Sequence, residues 1–283
     1  MSNRKMVLAA VAQLTATNNI KANLDVCVSL IKKGSQLGAK MVFFPEASDY
    51  IAENKAEGFV LGRAAAAGGH DFLGGIKSAA EAYGIWVSVG IHELVDGVEL
   101  PFNSNVVISS SGNIVSTYRK LHLFNVDIPN GPRLLESASI SKGMEIVPPV
   151  DTPVGRLGSA ICFDMRFPEL SNALRSMGAE GISYPSVFTE KTGAAHWDVL
   201  LRARAIETQT YVYAAAQIGS HNAKRSSYGN SLIVDPWGNV IARCSSTTKP
   251  TIAIAEIDLD YLHSLRRQLP VFENRRIDVF KNL

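Results

Sequence analysis

Arg156-Leu157-Gly158-Ser159-Ala160-Ile161-Cys162-Phe163-Asp164-Met165-Arg166-Phe167-Pro168 runs from an apolar strand, through a cysteine, into the start of a helix. Pro168 suits a first helical turn, because the N–H it lacks is one that a helix leaves unbonded there. The helix is predicted over 168–177. Downstream the spacing predicts strands at 181–184, 211–217, 231–234, 240–243 and 252–257, a helix at 196–208, and a turn at Pro236-Trp237-Gly238-Asn239. Upstream, Val7 to Leu14 reads as a buried strand. Ile20, Leu24, Cys27, Ile31 and Leu37 recur at helical spacing, with Gly38 to close that helix. Met41 to Phe44 is a strand. Asp71 can cap a helix that ends at Gly84. Ile85, Val87, Val89 and Ile91 alternate as a half-buried strand should, and 105–109 and 114–118 are further strands. Many strands with few helices predict an α/β fold of stacked sheets with helices outside.

Length and composition narrow the function classes. The chain has 283 residues, 46% of them hydrophobic and 19% charged, which is enough apolar material for a sizeable core and excludes global disorder. Without a linker or repeat, one domain over 1–283 is expected. A net charge of +2 with no basic run argues against nucleic-acid or polybasic membrane binding. Arg4-Lys5 followed by apolar residues up to Ala12 resembles a short leader, but the stretch stops at Gln13 and reads better as a first strand. No run is long enough to span a bilayer. Three cysteines make no disulfide framework and leave at least one free thiol, which fits the cytoplasm.

Three strand ends carry chemistry. Cys162 lies on a strand-to-helix bend, where backbone N–H groups can hold an oxyanion. The helix end and Arg166 are expected to favour its thiolate. Cys27 falls on an apolar helical stripe and reads as core; Cys244 reads as structural. Glu46 ends an apolar strand, where burial is expected to raise its pKa toward general-base use. Lys120 ends another and can stabilise charge on a carbonyl oxygen. Taken singly, each also fits an ordinary core or surface role. Together, base, cation and thiol are the parts of acyl transfer. His70, His92, His122, His196, His221 and His263 form no metal-ligand spacing, and Gly68-Gly69 and Gly74-Gly75 make no phosphate fingerprint, so no metal and no cofactor are expected. His122, close to Lys120, leaves a Cys–His arrangement open.

Phe44-Pro45-Glu46, Tyr118-Arg119-Lys120-Leu121-His122 and Ile161-Cys162-Phe163-Asp164-Met165-Arg166 together resemble the nitrilase superfamily of carbon–nitrogen hydrolases over nearly the whole chain. The resemblance implies an α-β-β-α sandwich, a homodimer, and a Glu–Lys–Cys triad at Glu46, Lys120 and Cys162. It also implies a second glutamate at Glu136. Arg166-Phe167-Pro168-Glu169, Tyr184-Pro185-Ser186, Ala195-His196-Trp197 and Leu201 to Gln209 are similar to the amidase branch that repairs deaminated glutathione. That branch implies a small amide substrate bearing an α-keto acid, split to 2-oxoglutarate and Cys-Gly. Arg166, four residues past Cys162, can read the keto carboxylate or pair with Glu169. Phe188 and Thr192 can line the pocket, and the Phe163 N–H can join the oxyanion site. The rival readings are an ω-amidase acting on 2-oxoglutaramate and a silent interaction protein on the same scaffold.

Overall fold

The computed structural model describes residues 6–66, 71–127 and 133–280; Gly68, Gly69 and His70 lie outside them. In chain order the elements are β1 (Val7–Leu14), α1 (Ile20–Gln36), β2 (Met41–Phe43), α2 (Lys55–Ala66), α3 (Phe72–Tyr83), β3 (Trp86–Glu93), β4 (Phe102–Ile108), β5 (Ile114–Arg119), β6 (Asn125–Asp127), β7 (Arg133–Leu135), β8 (Val150–Thr152), β9 (Gly155–Ser159), α4 (Pro168–Ser176), β10 (Gly181–Ser183), α5 (Glu190–Thr208), β11 (Tyr211–Ala214), β12 (Ala216–Asn222), β13 (Arg225–Tyr228), β14 (Leu232–Val234), β15 (Val240–Arg243), β16 (Thr251–Ile257) and α6 (Leu259–Gln268). Short 3-10 turns occupy Glu136–Ala138 and Cys162–Arg166.

One sheet runs β13-β12-β1-β2-β3-β4-β5, with β16 antiparallel to β1. A second runs β15-β14-β11-β10-β9-β8, and β6 pairs with β7 apart from both. Side chains alternate across a strand, so each strand shows which face meets what. Ala9 and Val11 of β1, Met41 and Phe43 of β2, Tyr211 and Tyr213 of β11, and Ile233 of β14 share one buried cluster between the sheets. Phe43 stacks on Tyr213 across that interface at 4.2 Å. The opposite faces are buried too. Ala10, Val42, Val87 and Val89 pack with α1 and α3. Ile182, Val212 and Leu232 pack with Leu170, Leu174, Trp197 and Leu201 of α4 and α5. The layers are therefore helix, sheet, sheet, helix.

Several local predictions differ from what forms. β3 is buried on both faces, not half-buried, because the second sheet covers Ser88 as the helices cover Val87. The stretch 211–217 is two strands in two different sheets, the chain crossing between them at Ala215. α5 starts at Glu190, six residues before the predicted His196. α2, α6, β6, β7, β8 and β13 answer to no predicted element.

Candidate active site

The residues of interest meet where the ends of both sheets converge. Beyond β2 the chain turns sharply: Ala47 has φ +53°, a conformation that costs a residue with a Cβ. Three contacts hold that turn. Gln217 Nε2 donates to the carbonyls of Glu46 and Ala47 at 3.1 and 3.3 Å. Ser48 Oγ donates to the Pro45 carbonyl at 2.7 Å. Gly90 on β3 lets the Glu46 backbone come close; a Cβ there would sit 2.5 Å from Glu46 Cα and 2.7 Å from Pro45 O.

Lys120 follows β5 and is buried at 1% exposure, which demands a partner for its charge. Its Nζ donates to Glu46 Oε1 at 2.8 Å and reaches both oxygens of Glu136 at 3.0 and 3.1 Å. Glu136 Oε2 also accepts from the Phe124 N–H at 2.6 Å. Glu46 Oε2 accepts from the Val187 N–H at 2.7 Å.

Cys162 stands on an elbow with φ +44°, at the start of the 3-10 turn. Its N–H donates to the Pro185 carbonyl at 3.0 Å. Its thiol lies within reach of the Glu46 carboxylate and the Val187 backbone, both of which act on its ionisation. The segment 185–187 thus clamps the cysteine elbow and the Glu46 carboxylate to each other. Asp164, fully buried, ties the elbow to the Lys120 strand. Its Oδ2 accepts from Tyr118 Oη at 2.7 Å and the Ile161 N–H at 2.9 Å. Its Oδ1 accepts from the His122 N–H at 3.0 Å and lies 2.7 Å from His122 Nδ1. His122 therefore serves Asp164, and its ring stacks on Phe167 at 3.8 Å.

The electrostatics reverse two expectations. Burial alone would push the Glu46 carboxyl up, but the Lys120 charge and the hydrogen bonds from Lys120 and Asn103 hold it below the ordinary value. Burial pushes the Cys162 thiol up, and the Glu46 charge adds to this, outweighing Lys120. The resting pair is a carboxylate beside a neutral thiol, not a raised acid beside a thiolate. Lys120 loses basicity by burial and gains more from Glu46 and Glu136, so it stays an ammonium.

Arg166 makes no ion pair with Glu169. Its Nη2 lies 3.2 Å from His196 Nδ1, and its guanidinium stands over the rings of Phe188 and Phe163 at 5.5 and 5.9 Å. Phe163 packs edge-on against Phe124 and Phe167. Phe188 is buried against Trp197. The Thr192 hydroxyl meets that of Thr189 at 2.7 Å in the first turn of α5. Cys27 faces the core from α1, and Cys244 is buried with its thiol raised to about 12 by burial. Among the described residues, no group of three or more His, Cys, Asp or Glu side chains is arranged to hold a metal ion.

Sequence reasoning missed Asn103, Val187, Gln217 and the scaffold role of Asp164. Val187 acts through its backbone, which no side-chain motif shows. Gln217 is a polar residue at the end of the apolar run after Tyr211, and that was a usable signal; Asn103 stands in the polar run Asn103-Ser104-Asn105, ahead of the predicted strand, and gave none.

Comparison with known proteins bears on the family and the fold. The carbon–nitrogen hydrolase family model matches residues 8–267. The chain is 47% identical to human deaminated glutathione amidase, over 100% of this chain and 86% of that one. The crystal structure of the Caenorhabditis elegans NitFhit protein superposes with a TM-score of 0.92 at 44% identity, covering 99% of this chain and 67% of that one. Saccharomyces cerevisiae Nit3, a member of branch 10 of the nitrilase superfamily, superposes with a TM-score of 0.82 at 27% identity, covering 96% and 97%. With a matching family model over almost all of its length, this fold and these relatives, the chain belongs to the carbon–nitrogen hydrolases of the nitrilase superfamily.

Proposed function

We propose that this chain is a cysteine amidase that cleaves the amide of deaminated glutathione, giving 2-oxoglutarate and Cys-Gly. The observation that carries the reading is one buried ammonium, Lys120, bonded to Glu46 and Glu136, with the Cys162 thiol close enough for Glu46 and Lys120 both to act on its charge. The substrate follows from the similarity to amidases of that name.

The chemistry runs through one proton acceptor. Cys162 Sγ attacks the amide carbon as its proton passes to the Glu46 carboxylate. Negative charge gathers on the former carbonyl oxygen, where Lys120 Nζ and the Phe163 N–H stabilise it. The C–N bond breaks, Glu46 returns the proton to the departing amine, and a thioester remains. Glu46, again a carboxylate, then takes a proton from water as the water oxygen attacks the thioester. The C–S bond breaks, the proton goes back to sulfur, and the acid leaves. A carboxylate held below its ordinary pKa beside a neutral thiol suits this sequence, because the proton moves only as the bond forms. Glu136 keeps Lys120 charged and placed.

Arg166 reads the keto carboxylate in this proposal, with Phe163, Phe188 and Thr192 around it. It has no acidic partner among the described residues, which leaves its fork for a ligand. Arg166→Lys lowers kcat/KM on the keto-acid substrate by about 1.5–3 kcal/mol and much less on a neutral amide. An equal fall on both would reassign Arg166 to the fold.

The proposal extends to one hydrolase domain over residues 1–283, a homodimer and a cytoplasmic setting. Val199 and Ile206 lie exposed on one face of α5, beside exposed Trp237, and supply apolar surface for pairing. The three cysteines are all free, as suits a reducing compartment. Among the described residues no helix is long and apolar enough to cross a membrane. Product release from deaminated glutathione and from 2-oxoglutaramate, measured side by side, tests the substrate. A higher kcat/KM on the second would overturn it.

A further inference from the structure

Asn103 stands between the two carboxylates. It lies on β4 opposite His92, and its side chain is buried. Its Nδ2 is 2.6 Å from Glu46 Oε1 and 3.0 Å from Glu136 Oε1. Its backbone carbonyl accepts the Lys120 N–H at 2.9 Å. A carboxamide nitrogen carries two N–H groups, and here each has its own carboxylate. The same two carboxylates bind the Lys120 ammonium from the other side. The four side chains close a ring of alternating donors and acceptors: Glu46, Lys120, Glu136, Asn103.

That ring has a consequence for Lys120. An ammonium has three N–H groups. Nζ contacts Glu46 Oε1 and both oxygens of Glu136, so an N–H is left for an oxygen of the substrate when Glu136 holds the ammonium through a single N–H shared between its two oxygens. Two anions sharing a single cation would otherwise draw that last N–H to themselves. Asn103 supplies the missing donors without adding charge. An aspartate in its place would match its shape but bring a third carboxylate to the same lysine.

We propose that Asn103 is a positioning residue for amide hydrolysis: it orients the Glu46 and Glu136 carboxylates so that Glu46 remains a proton acceptor and Lys120 keeps one N–H for the reacting oxygen. The inference rests on the roles proposed above for Glu46 and Lys120. The other groups facing Glu46 are the Lys120 ammonium, the Cys162 thiol and the Val187 N–H, with Glu136 across the lysine.

The test compares wild type, Asn103→Ala, Asn103→Asp and Glu46→Gln on one amide substrate across about pH 4–9, with thermal unfolding of each. Both Asn103 variants are expected to lose about 10–100-fold in kcat with KM changed less than about threefold. In Asn103→Ala the acid limb of kcat/KM moves to higher pH, because the charged form of Glu46 has lost a donor. A merely structural residue would lower the unfolding temperature and leave that limb in place. If Asn103→Ala does not fold, isosteric Asn103→Asp is read alone, by its kcat and KM. Wild-type kcat in either variant, or a fallen kcat with an unmoved acid limb, overturns the inference while an inactive Glu46→Gln keeps the underlying mechanism standing. An active Glu46→Gln overturns both.

Discussion

Two turns at the ends of two sheets bear the chemistry, and they are built differently. At the end of β2 the backbone reaches φ +53° at Ala47, one residue past Glu46; after β9 it reaches φ +44° at Cys162 itself. The first turn is held by shape: Gly90 has no Cβ where Glu46 passes, and Gln217 bonds two successive carbonyls. The second is held by charge, since the fully buried Asp164 gathers Tyr118, Ile161 and His122. A turn held by backbone contact has no slack, whereas one held by a carboxylate depends on its donors being present. The two should therefore fail under different substitutions.

Gly90→Ala makes the largest break. A Cβ 2.5 Å from Glu46 Cα forces backbone to move, as no side chain is there to give way. Overpacking of this kind costs about 1–3 kcal/mol of stability. Displacing the proton acceptor costs more, with kcat expected to fall at least about 100-fold. Steady-state kinetics beside thermal unfolding separates the two losses.

Asp164→Asn tests the second turn. The side chain keeps its size, but its NH2 group now faces donors. Stranding one buried donor costs about 1–3 kcal/mol. Denaturant unfolding should show a loss in that range, with kcat down about 10-fold as the elbow loosens. A variant as stable as wild type would mean that the elbow holds itself.

His122→Ala removes one donor from Asp164 and leaves the thiol's own partners in place. A loss of under about 10-fold in kcat is expected. A loss as deep as that of Cys162→Ser would revive a Cys–His arrangement. Cys27→Ser and Cys244→Ser mark the small end of the scale and should keep wild-type turnover, because both thiols are buried in the core.

The comparison also explains what could be read from the sequence. Patterns confined to a few adjacent residues were legible. β1 forms over Val7–Leu14 as predicted, and α3 has its Asp71 cap, donated to by the Gly74 N–H, and its left-handed Gly84. The bend at Cys162 is where strand pattern and Pro168 put it. Features set by distant chain were not. The Glu46 carboxyl is lowered rather than raised because Lys120, 74 residues on, comes to 2.8 Å. Cys162 stays a thiol because burial raises it and the carboxylate at its side outweighs the lysine, while Arg166 turns to His196. The break at Ala215 hides inside an unbroken apolar run, since the same residues suit either sheet. Glu136 entered only through the resemblance, because nothing near Leu135-Glu136-Ser137 marks it locally.

The central claim is that the acyl group passes through Cys162. Acid-quenched samples taken during turnover of deaminated glutathione, digested and weighed peptide by peptide, address it directly. The account predicts a 2-oxoglutaryl thioester on the peptide that contains Cys162, absent from Cys162→Ser, which also turns over at least about 1,000-fold more slowly. An acyl group on any other residue, or wild-type turnover by Cys162→Ser, would contradict it.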